Sequence, residues 1–418
     1  MSGHPIYSAL VLVLLPWAVL HLLWRARRQP EYLRHWAERF GFFAAKPAAP
    51  VIWIHAVSVG ETRAAQPVVA ALRARYPDHA IVMTHMTPTG RQTSVELFGD
   101  SITRCYLPYD TPWGGRRFLQ HFAPRLGVIM ETELWPNLLA SAAALGIPVH
   151  LVNARLSARS ARRYARWPTL SAQALGHLTG ICAQTAADAE RLAALGGERI
   201  TLTGNVKFDI EMPEPMLALG AALRARCGPR PVWLAASTRE GEEALILDAC
   251  HKVDTGGTAL LVIVPRHPQR FDEVAKLVAA RGLALQRRSA EEAVAAGTQV
   301  LLGDSMGEMF AYYAMADVAF IGGSLLDYGS QNLIEACAVG TPVLVGPSTR
   351  NFAEAAAGAT ACGAALAIRD AEELIAQVSV LLPDAARRRQ MGEAGREFAA
   401  RHRGATARTL EAITRAGR

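Results

Sequence analysis

From residue 51 onward, short apolar runs rich in β-branched residues alternate with alanine-rich amphipathic stretches, and this alternation constrains the fold more than any other feature of the sequence. In the first half of the chain the apolar runs are VIWIHAV, AIVMTH, ITRCYLP, LGVIMET, IPVHLVN and ITLTGN. In the second half they are PVWLAAST, ALLVIVPR, TQVLLGDS, VAFIGGS and TPVLVGP. The pattern is typical of βαβ units and predicts α/β domains with a parallel sheet covered on both faces.

A chain of 418 residues is longer than one hydrophobic core usually supports, so we expect two such domains. The segment DIEMPEPM, with two prolines and three acids, interrupts the alternation and predicts a linker. We predict a membrane anchor at 1–30, a Rossmann-like domain at 31–210, a linker at 211–216, a second Rossmann-like domain at 217–383 and closing helices at 384–418. Two doubly wound domains that face each other form a central cleft, with ligands at the carboxyl ends of the strands.

The composition is that of a globular protein, with 51% hydrophobic and 19% charged residues. The net charge of +7 comes almost entirely from arginine, because the only lysines are Lys46, Lys207, Lys252 and Lys276. This basic balance fits an anionic partner, although a GC-rich genome also enriches arginine and alanine. The 6 cysteines are dispersed without a C-x-x-C pair, which argues against a zinc site and against a disulfide framework and favours a reducing, cytosolic compartment.

Residues 6–24 carry no formal charge, and as a helix they would reach roughly 28 Å, about the thickness of a bilayer core. Arg25, Arg27 and Arg28 follow, so the positive-inside tendency places the rest of the chain on the cytoplasmic side. The alternative is a helix that lies in the membrane interface, held by its tryptophans and arginines. Both interpretations place the protein at a membrane.

In the first domain, the unusual residues follow strands. Glu61 comes after the first strand, Glu131 and Glu133 after the fourth, and Lys207 shortly before the linker. Glu61 could act as a general base or simply favour a helix N-terminus, and Lys207 could neutralise a leaving phosphate or be a solvated surface residue. For Glu133 we expect that it caps the helix beginning at Pro136.

In the second domain, Arg266 and His267 close a buried strand, and Gly307 is predicted to begin a helix whose free N–H groups can bind a phosphate. Residues 322–347 contain a glycine-rich turn followed by a predicted helix with Gln331, Asn332 and Glu335 in its first turn, where a glutamate can accept ribose hydroxyls. The sequence contains no D-x-D, H-E-x-x-H, P-loop or G-x-S-x-G motif. The residues therefore favour a nucleotide bound in the second domain without a metal, and a base supplied by the first.

The motifs HAVSVGE, METELWPN, NARLS, GNVKFD, PRHPQRF, GDSMGEM, GGSL and QNLIEACAVGTPVLVGP occur in this order behind the apolar N-terminal segment. Together they closely resemble the bacterial Kdo transferases of lipopolysaccharide assembly, and the match covers nearly the whole chain. The resemblance implies a GT-B glycosyltransferase that needs no cofactor. It implies inverting, metal-independent transfer of 3-deoxy-manno-octulosonic acid (Kdo) from CMP-Kdo to the tetra-acylated lipid A precursor, lipid IVA, at the inner membrane.

The resemblance also implies residue roles. Glu61 would be the general base, and Glu131 and Lys207 would stabilise the transition state. Contacts to CMP are implied at Pro265, Arg266, Met306, Gly307, Glu308, Asn332, Leu333, Ile334 and Glu335. Many relatives carry G-G-H-N where this chain has GSQN at residues 329–332, so Gln331 can form hydrogen bonds there but cannot titrate.

For the acceptor phosphates and the bilayer we expect the segment RLSARSARRYARW, residues 155–167, together with Arg25, Arg27, Arg28 and Arg34. The alternative is a solvated basic helix face. Two rival functions remain at this stage: a membrane-associated GT-B enzyme that uses a UDP-sugar, and a membrane-tethered binding module without activity. Nucleic-acid binding is not expected, since the basic residues belong to no recognisable nucleic-acid module.

Overall fold

The computed structural model describes residues 5–27, 29–44, 46–209, 212–252 and 259–415. The chain divides into two compact units. Unit 1 comprises Met1–Asp209 and Arg403–Arg418, and unit 2 comprises Ile210–His402. Arg28, expected to contribute to the basic surface, lies outside the described residues.

Unit 1 contains a sheet of seven parallel strands in the order β3-β2-β1-β4-β5-β6-β7. The strands are β1 Val51–His55, β2 Ala80–His85, β3 Thr103–Tyr106, β4 Pro124–Met130, β5 Val149–Ala154, β6 Gly180–Ala183 and β7 Ile200–Leu202. Side chains of β1 alternate between two cores: Val51 and Trp53 join one hydrophobic cluster, and Ile52 and Ile54 join another. Both faces of this sheet are therefore covered, as the apolar runs predicted.

The helices of unit 1 that precede the linker are α1 Pro5–Ala26, α2 Val59–Ala64, α3 Gln66–Arg75, α4 Pro88–Phe98, α5 Gly114–Phe122, α6 Pro136–Ala144, α7 Ala158–Tyr164, α8 Pro168–Gly176 and α9 Ala186–Ala194. Four of the helices that follow strands begin with a Ser or Thr side chain that accepts a backbone N–H of the first turn. These capping residues are Ser58, Thr87, Ser157 and Thr185. They end the extended strand conformation and start the helix at the carboxyl edge of the sheet.

Unit 2 also contains seven parallel strands, in the order β10-β11-β9-β8-β12-β13-β14. The strands are β8 Val232–Thr238, β9 Leu260–Pro265, β10 Leu285–Arg287, β11 Val300–Leu302, β12 Val318–Ile321, β13 Val343–Val345 and β14 Ala365–Ala367. Its helices are α10 Glu214–Arg226, α11 Glu242–Lys252, α12 Phe271–Ala279, α13 Met309–Met315, α14 Ile334–Val339, α15 Ala353–Ala361, α16 Ala371–Leu381 and α17 Ala385–His402. Two doubly wound α/β units are thus confirmed.

Short 3-10 helices complete the described structure, at Pro30–Leu33, Trp36–Phe40, Gly99–Ser101, Val206–Phe208, Pro268–Arg270 and Arg288–Ala290. Helix α10 begins at Glu214, inside the segment predicted as a linker, because a proline in the first turn of a helix removes no intrahelical hydrogen bond. Three strands escaped sequence analysis: β6, and the two edge strands β10 and β14. Their own residues, GICA, LQR and ALA, do not form an apolar run rich in β-branched residues.

The last helix, α18 Ala405–Arg415, belongs to unit 1 although it follows α17 of unit 2. Both carboxylate oxygens of Asp209 accept backbone N–H groups at the start of α18, those of Gly404 and Thr406. Arg408 Nε donates to the Thr203 carbonyl at 2.8 Å. Helix α18 is thereby hydrogen-bonded to the segment between Thr203 and Asp209, which carries Lys207.

Candidate active site

The carboxyl ends of β1 and β4 lie side by side in unit 1, although two strands separate them in the sequence. β1 pairs with β2 on one side and with β4 on the other, where His55 lies opposite Ile129. Ligands of open parallel sheets bind outside the strand ends at such a switch point. The loops after β1 and β4, which lead to Glu61 and Glu131, are therefore the expected ligand site of unit 1.

Glu61 is the third residue of α2, and its carboxylate closes the start of that helix. Its Oε2 accepts the Val57 backbone N–H at 2.7 Å, and its Oε1 accepts the Ser58 hydroxyl at 3.0 Å. Ser58 in turn caps the helix by accepting the Glu61 N–H. Glu61 therefore does stabilise a helix N-terminus, which was one of its two expected roles. Its side chain is only half-buried, so it also remains accessible.

The environment of Glu61 raises its pKa to about 7. Burial is the largest cause, and the negative charges of Glu131 and Glu133 add to it. Hydrogen bonds from Val57 and Ser58 act in the opposite direction by stabilising the charged form. A carboxyl group with this pKa can exchange a proton near neutral pH, which suits a general base.

Glu131 follows β4 directly and forms an ion pair with Lys207. Lys207 Nζ lies 2.9 Å from Glu131 Oε1, and each side chain is about a fifth exposed. The backbone of Glu131 has a φ of 59°, in the left-handed region that non-glycine residues seldom adopt. Such strained residues cluster at functional sites. The tertiary structure thus brings together two residues that are 76 positions apart in the sequence.

The expectation that Glu133 caps the helix at Pro136 is wrong. The N–H groups of Asn137 and Leu138 in the first turn of α6 donate to the carboxylate of Asp110 instead, at 3.1 and 2.8 Å. Asp110 was missed because it lies in the loop that follows β3, far from α6 in the sequence. Glu133 is left as a further acid beside Glu131, and burial followed by the charge of Glu131 raises its pKa to about 7.

The loop that carries Lys207 is held by two asparagine side chains. Asn205 Oδ1 accepts the Lys207 N–H at 3.0 Å, and Asn153 Oδ1 accepts the Val206 N–H at 3.1 Å. Asn153 stands near the end of β5 with a φ of 55°. Lys207 is therefore positioned from β5 and from α18, neither of which is adjacent to it in the sequence.

Unit 2 has its own switch point, where β8 pairs with β9 on one side and β12 on the other. The end of β12 approaches the end of β8 so closely that a Cβ at Gly322 would lie 2.5 Å from the Ser237 carbonyl oxygen. Only glycine fits this position. Ser237 itself has a φ of 53°.

Several cationic side chains gather at these strand ends. Arg266 Nε donates to Gln331 Oε1 at 3.2 Å, and Arg239 Nη1 lies 3.1 Å from His267 Nε2. The pKa of His267 is lowered, first by burial and then by the charges of Arg239, Arg266 and Arg270. This arrangement is suited to bind an anion. Arg239 was missed by sequence analysis, although it directly follows the apolar run PVWLAAST.

The glycine-rich turn after β12 is held by a buried carboxylate that sequence analysis also missed. Glu242 is fully buried, and its two oxygens accept four backbone N–H groups. The donors are Arg239, Gly323, Leu325 and Leu326, at 2.8, 2.6, 2.9 and 3.4 Å. The only sequence signal was an acidic pair after a strand, which is common at any helix start.

The other residues implied to contact CMP fall into two further groups. Asn332 Nδ2 donates to Glu335 Oε1 at 3.0 Å, and Asn332 Oδ1 accepts the Ile334 N–H. Leu333 and Ile334 are buried at the start of α14. Glu308 pairs with Arg288 at 3.2 Å and accepts the Ser305 hydroxyl at 2.6 Å.

Two local predictions in unit 2 need correction. Gly307 does not begin a helix: it has a φ of 80° and precedes α13, which starts at Met309. Gln331 and Asn332 lie in the loop before α14 rather than in its first turn, because the chain follows the β12 turn as far as Ser330, whose φ is 69°. Met306 is more than half exposed.

The acceptor segment expected at residues 155–167 is an exposed arginine-rich surface on α7 and the turn after it. Arg159, Arg162, Arg163 and Arg166 line a cavity of about 670 Å³. Trp167, at the end of the segment, is 61% exposed. Among the described residues, no group of three or more His, Cys, Asp or Glu side chains is arranged to hold a metal ion.

Comparison with known proteins gives the same picture along the whole chain. Residues 34–210 match the family 3-deoxy-D-manno-octulosonic-acid transferase (kdotransferase), and residues 269–398 match the glycosyl transferases group 1. A 3-deoxy-D-manno-octulosonic acid transferase of Bordetella pertussis is 46% identical over 98% of this chain and 99% of its own length. One from Haemophilus influenzae is 38% identical over 97% of each chain.

Solved structures support the fold. A UDP-GlcNAc 2-epimerase from Neisseria meningitidis aligns over 87% of this chain and 100% of its own, with a TM-score of 0.58 at 15% identity. Two Rossmann-like units with these family matches define a glycosyltransferase of the GT-B class. More particularly, the chain belongs to the 3-deoxy-D-manno-octulosonic acid (Kdo) transferase family, as its motifs predicted.

Proposed function

We propose that this enzyme transfers Kdo from CMP-Kdo to the lipid A precursor lipid IVA, with inversion at the anomeric carbon and with Glu61 as general base. The observation that carries the proposal is the position of Glu61, half-buried at the β1–β4 switch point of unit 1 in a chain of the Kdo transferase family, and its raised pKa of about 7 fits the role of a base. An acid of ordinary pKa would be a weaker base, and a fully buried one would not reach an acceptor.

In the proposed reaction, an acceptor hydroxyl attacks the anomeric carbon from the face opposite the phosphate. The bond between the anomeric carbon and the phosphate oxygen breaks, and CMP leaves with the bonding electron pair. Glu61 takes the proton of the acceptor hydroxyl. The anomeric carbon gains oxocarbenium character, which nearby carboxylates such as Glu131 stabilise. Lys207, paired with Glu131, holds that acid in place and offsets its charge.

The donor would be bound by unit 2. A CMP-sugar carries a single phosphate, which becomes more negative as it leaves, and the cations around Arg266 would stabilise it. The pair Asn332 and Glu335 offers amide and carboxylate groups to a ribose, and Pro265, Met306, Gly307, Glu308, Leu333 and Ile334 complete the proposed CMP site.

We propose that the enzyme works at the cytoplasmic face of the inner membrane, where a phosphorylated lipid acceptor resides. Helix α1 is long and apolar enough to cross a membrane by length and composition. The exposed arginines of residues 155–167 would bind the acceptor phosphates. Arg25 and Arg27, exposed at the end of α1, and Arg34 would contact anionic headgroups.

The first experiment replaces Glu61 with glutamine and measures product mass after incubation with CMP-Kdo and lipid IVA. Loss of a general base should lower kcat by about 10²- to 10⁴-fold. Affinity for CMP, measured by calorimetry, should remain, since the proposed CMP site lies in the other unit. Glu96→Gln, on exposed positions of α4, is the matched control and should keep full activity. Full activity of Glu61→Gln would remove Glu61 as the base.

A comparison of nucleotide affinities separates the proposed function from that of a UDP-sugar enzyme. CMP should bind with much higher affinity than UDP; the reverse order would favour a UDP-sugar enzyme.

Replacing Arg159, Arg162 and Arg163 with glutamine should weaken binding to anionic vesicles and raise KM for the lipid. The same charge change at Arg387, Arg389 and Arg401 on α17 should leave both values unchanged. Equal effects of both triple variants would count against a specific acceptor surface.

A further inference from the structure

Helix α1 is tied to the rest of unit 1 near its N-terminus. The Tyr7 hydroxyl donates to Asp110 Oδ2 at 2.9 Å, and the Ser8 hydroxyl donates to Asn137 Oδ1 at 2.8 Å. Both acceptors belong to the buried network that starts α6, and Asp110 is only 5% exposed. The bonded residues are more than one hundred positions apart in the sequence, so these hydrogen bonds are tertiary contacts that dock the N-terminal end of α1 on unit 1.

The opposite end of α1 is also packed against the chain. Leu22 and Ala26 form a buried cluster with Tyr32 of the following 3-10 helix, and the Arg25 guanidinium lies 4.4 Å from the centre of the Tyr32 ring. A cation at this distance is attracted to the face of the ring. The C-terminal end of α1 is therefore packed against the segment that directly follows it, whereas Tyr7 and Ser8 bond to residues remote in the sequence.

Between its ends, α1 has one protected stripe and one exposed stripe. The less exposed residues recur every three to four positions, which is the period of one helix face. They are Tyr7, Ser8, Val11, Leu15, Ala18, Val19, Leu22 and Ala26. The residues at the two ends of this face make the contacts described above, whereas Val11, Leu15, Ala18 and Val19 between them remain partly exposed.

The outward stripe is strongly apolar. Ile6, Val13, Trp17, Leu20 and Trp24 are all more than half exposed, and Val13 reaches 75%. A contiguous row of large apolar side chains is rarely left in water. Tryptophans near arginines are typical of the boundary between headgroups and acyl chains.

Helix α1 cannot both dock on unit 1 through Tyr7 and cross the membrane. If Arg25 lay at the cytoplasmic surface of a spanning helix, Tyr7 would lie about 27 Å away along the axis, on the far side of the bilayer. From there its hydroxyl could not reach Asp110, which belongs to the same globular unit as Glu61. The hydrogen bonds at Tyr7 and Ser8 therefore decide between the two interpretations of the apolar segment.

We propose that α1 lies in the plane of the membrane, docked lengthwise on unit 1, and that its outward stripe inserts into the surface of an anionic phospholipid bilayer. The enzyme would then enter one leaflet only. The arginines at the end of α1 would add attraction to anionic headgroups. This inference depends on the proposed membrane location but not on the proposed reaction.

A depth profile tests the proposal directly. Ile6, Val13 and Leu20 lie seven residues apart on the outward stripe, so spin labels on single cysteines there sit about 10 Å apart along the axis. In vesicles of phosphatidylethanolamine and phosphatidylglycerol, an in-plane helix gives three equal, shallow depths. A spanning helix gives a graded profile with Val13 deepest, and that result would overturn the proposal.

A label at Leu15, on the protected stripe, is the matched control within the same helix. It should be less accessible to lipid-soluble oxygen than a label at Val13, because Leu15 lies on the face that a docked helix turns toward unit 1, where its native side chain is less exposed than that of Val13. A spanning helix surrounded by lipid would make the two positions equal. Outward labels that stay accessible to a water-soluble relaxant, in protein that fails to float with the vesicles, would overturn the assignment to lipid.

Cross-linking in intact membranes provides a second test. Ser8→Cys with Asn137→Cys should be joined by a short thiol reagent, since the native side chains touch. Val13→Cys with Asn137→Cys should not be joined, since Val13 faces outward. Absence of the first cross-link in folded protein would contradict docking. The depth profile leaves Asn137 unchanged, so it decides the matter even where that substitution prevents folding, and both readouts are independent of Kdo transfer.

Discussion

The carboxylate of Glu61 belongs both to a helix terminus and to the proposed reaction. Its bonds to Val57 and Ser58 favour the charged form, whereas burial and two neighbouring acids favour the neutral form. The second influence prevails and brings the pKa to about 7. The same contacts fix the direction of the side chain, so the helix cap also positions the base.

The neighbouring acids should set the pH dependence of the rate. The wild-type kcat/KM should fall about tenfold per pH unit below about pH 7, because only ionised Glu61 accepts a proton. Glu133→Gln removes a negative charge that raises the pKa of Glu61, so the acidic limb should move to lower pH. Glu131→Gln should move it in the same direction while also lowering the plateau. A limb that stays in place in both variants would contradict Glu61 as the titrating group.

The raised pKa of Glu61 should also appear in stability. Between its ordinary value of 4.5 and about 7, the folded protein binds more protons than the unfolded chain. This stabilisation is complete below pH 4.5 and is lost as pH rises through 7, by at most about 1.4 kcal/mol per pH unit. The Glu61→Gln variant lacks this titrating carboxyl group, so its free energy of unfolding relative to wild type should increase from acidic to neutral pH.

Hydrogen exchange in β1 and α2, followed across that pH range, measures this difference locally. Glu96→Gln, on the exposed side of α4, should show a constant difference from wild type. A constant difference for Glu61→Gln as well would show that its pKa is not raised. The comparison depends on the slope alone, so any fixed loss of helix capping does not affect it.

At the scale of elements, the turn after β12 depends on one buried acid. Glu242 presents both oxygens to backbone N–H groups from the β8 end and from the glycine-rich turn. Its carboxylate thus joins the two loops of the unit 2 switch point. The glycines give this turn its shape, and Glu242 fixes where the turn lies.

Replacing Glu242 with glutamine should disorder this turn. Glutamine has one acceptor oxygen and would direct an N–H₂ group at backbone donors, which leaves buried groups unsatisfied. We expect CMP affinity to fall by about tenfold or more, since each unsatisfied buried group costs roughly 1–3 kcal/mol. Calorimetry with CMP measures the effect, and Glu96→Gln should bind CMP as wild type does. Undiminished affinity would show that the turn does not form the nucleotide site.

At the scale of the whole molecule, the chain leaves unit 1 at Asp209 and returns to it with α18. Ala405, Thr409 and Ile413 of this helix are buried. Unit 1 is therefore completed only after unit 2 has been synthesised. The contact of Asp209 with the start of α18 joins the exit and the return of the chain.

A chain that ends at His402 should show this dependence. Removing α18 exposes its buried contacts on unit 1 and deprives Asp209 of its two donors, so exchange should accelerate in α3, β6 and the Lys207 loop. Unit 2 should keep its wild-type protection, because α18 is not part of it. A chain that ends at Arg415 is the control and should match the full protein. Unchanged protection of unit 1 in the shorter chain would contradict this role of α18.

Short-range patterns succeeded wherever a segment's own residues determine its structure. The apolar runs quoted for the two halves each contain a strand, as in β1 and β8, and Glu61 lies in the first turn of a helix, as its alternative interpretation predicted. Local patterns failed for the edge strands β10 and β14, because LQR and ALA contain no β-branched residue and these strands are recognised only by their pairing with a neighbour. They failed also for Glu133, because the residue that caps α6 comes from another loop.

The sequence by itself determined the family, the two α/β units and the acids and cations that follow the strands, since strand and helix periods and motif order are properties of the chain alone. Only the tertiary structure decided what those side chains touch: Lys207 beside Glu131, Asp110 at the start of α6, and Glu242 beneath the glycine-rich turn. A hydrogen bond or a pKa depends on distances between atoms that are remote in the sequence. Parallel strands bring such atoms together only after the crossover connections have been made.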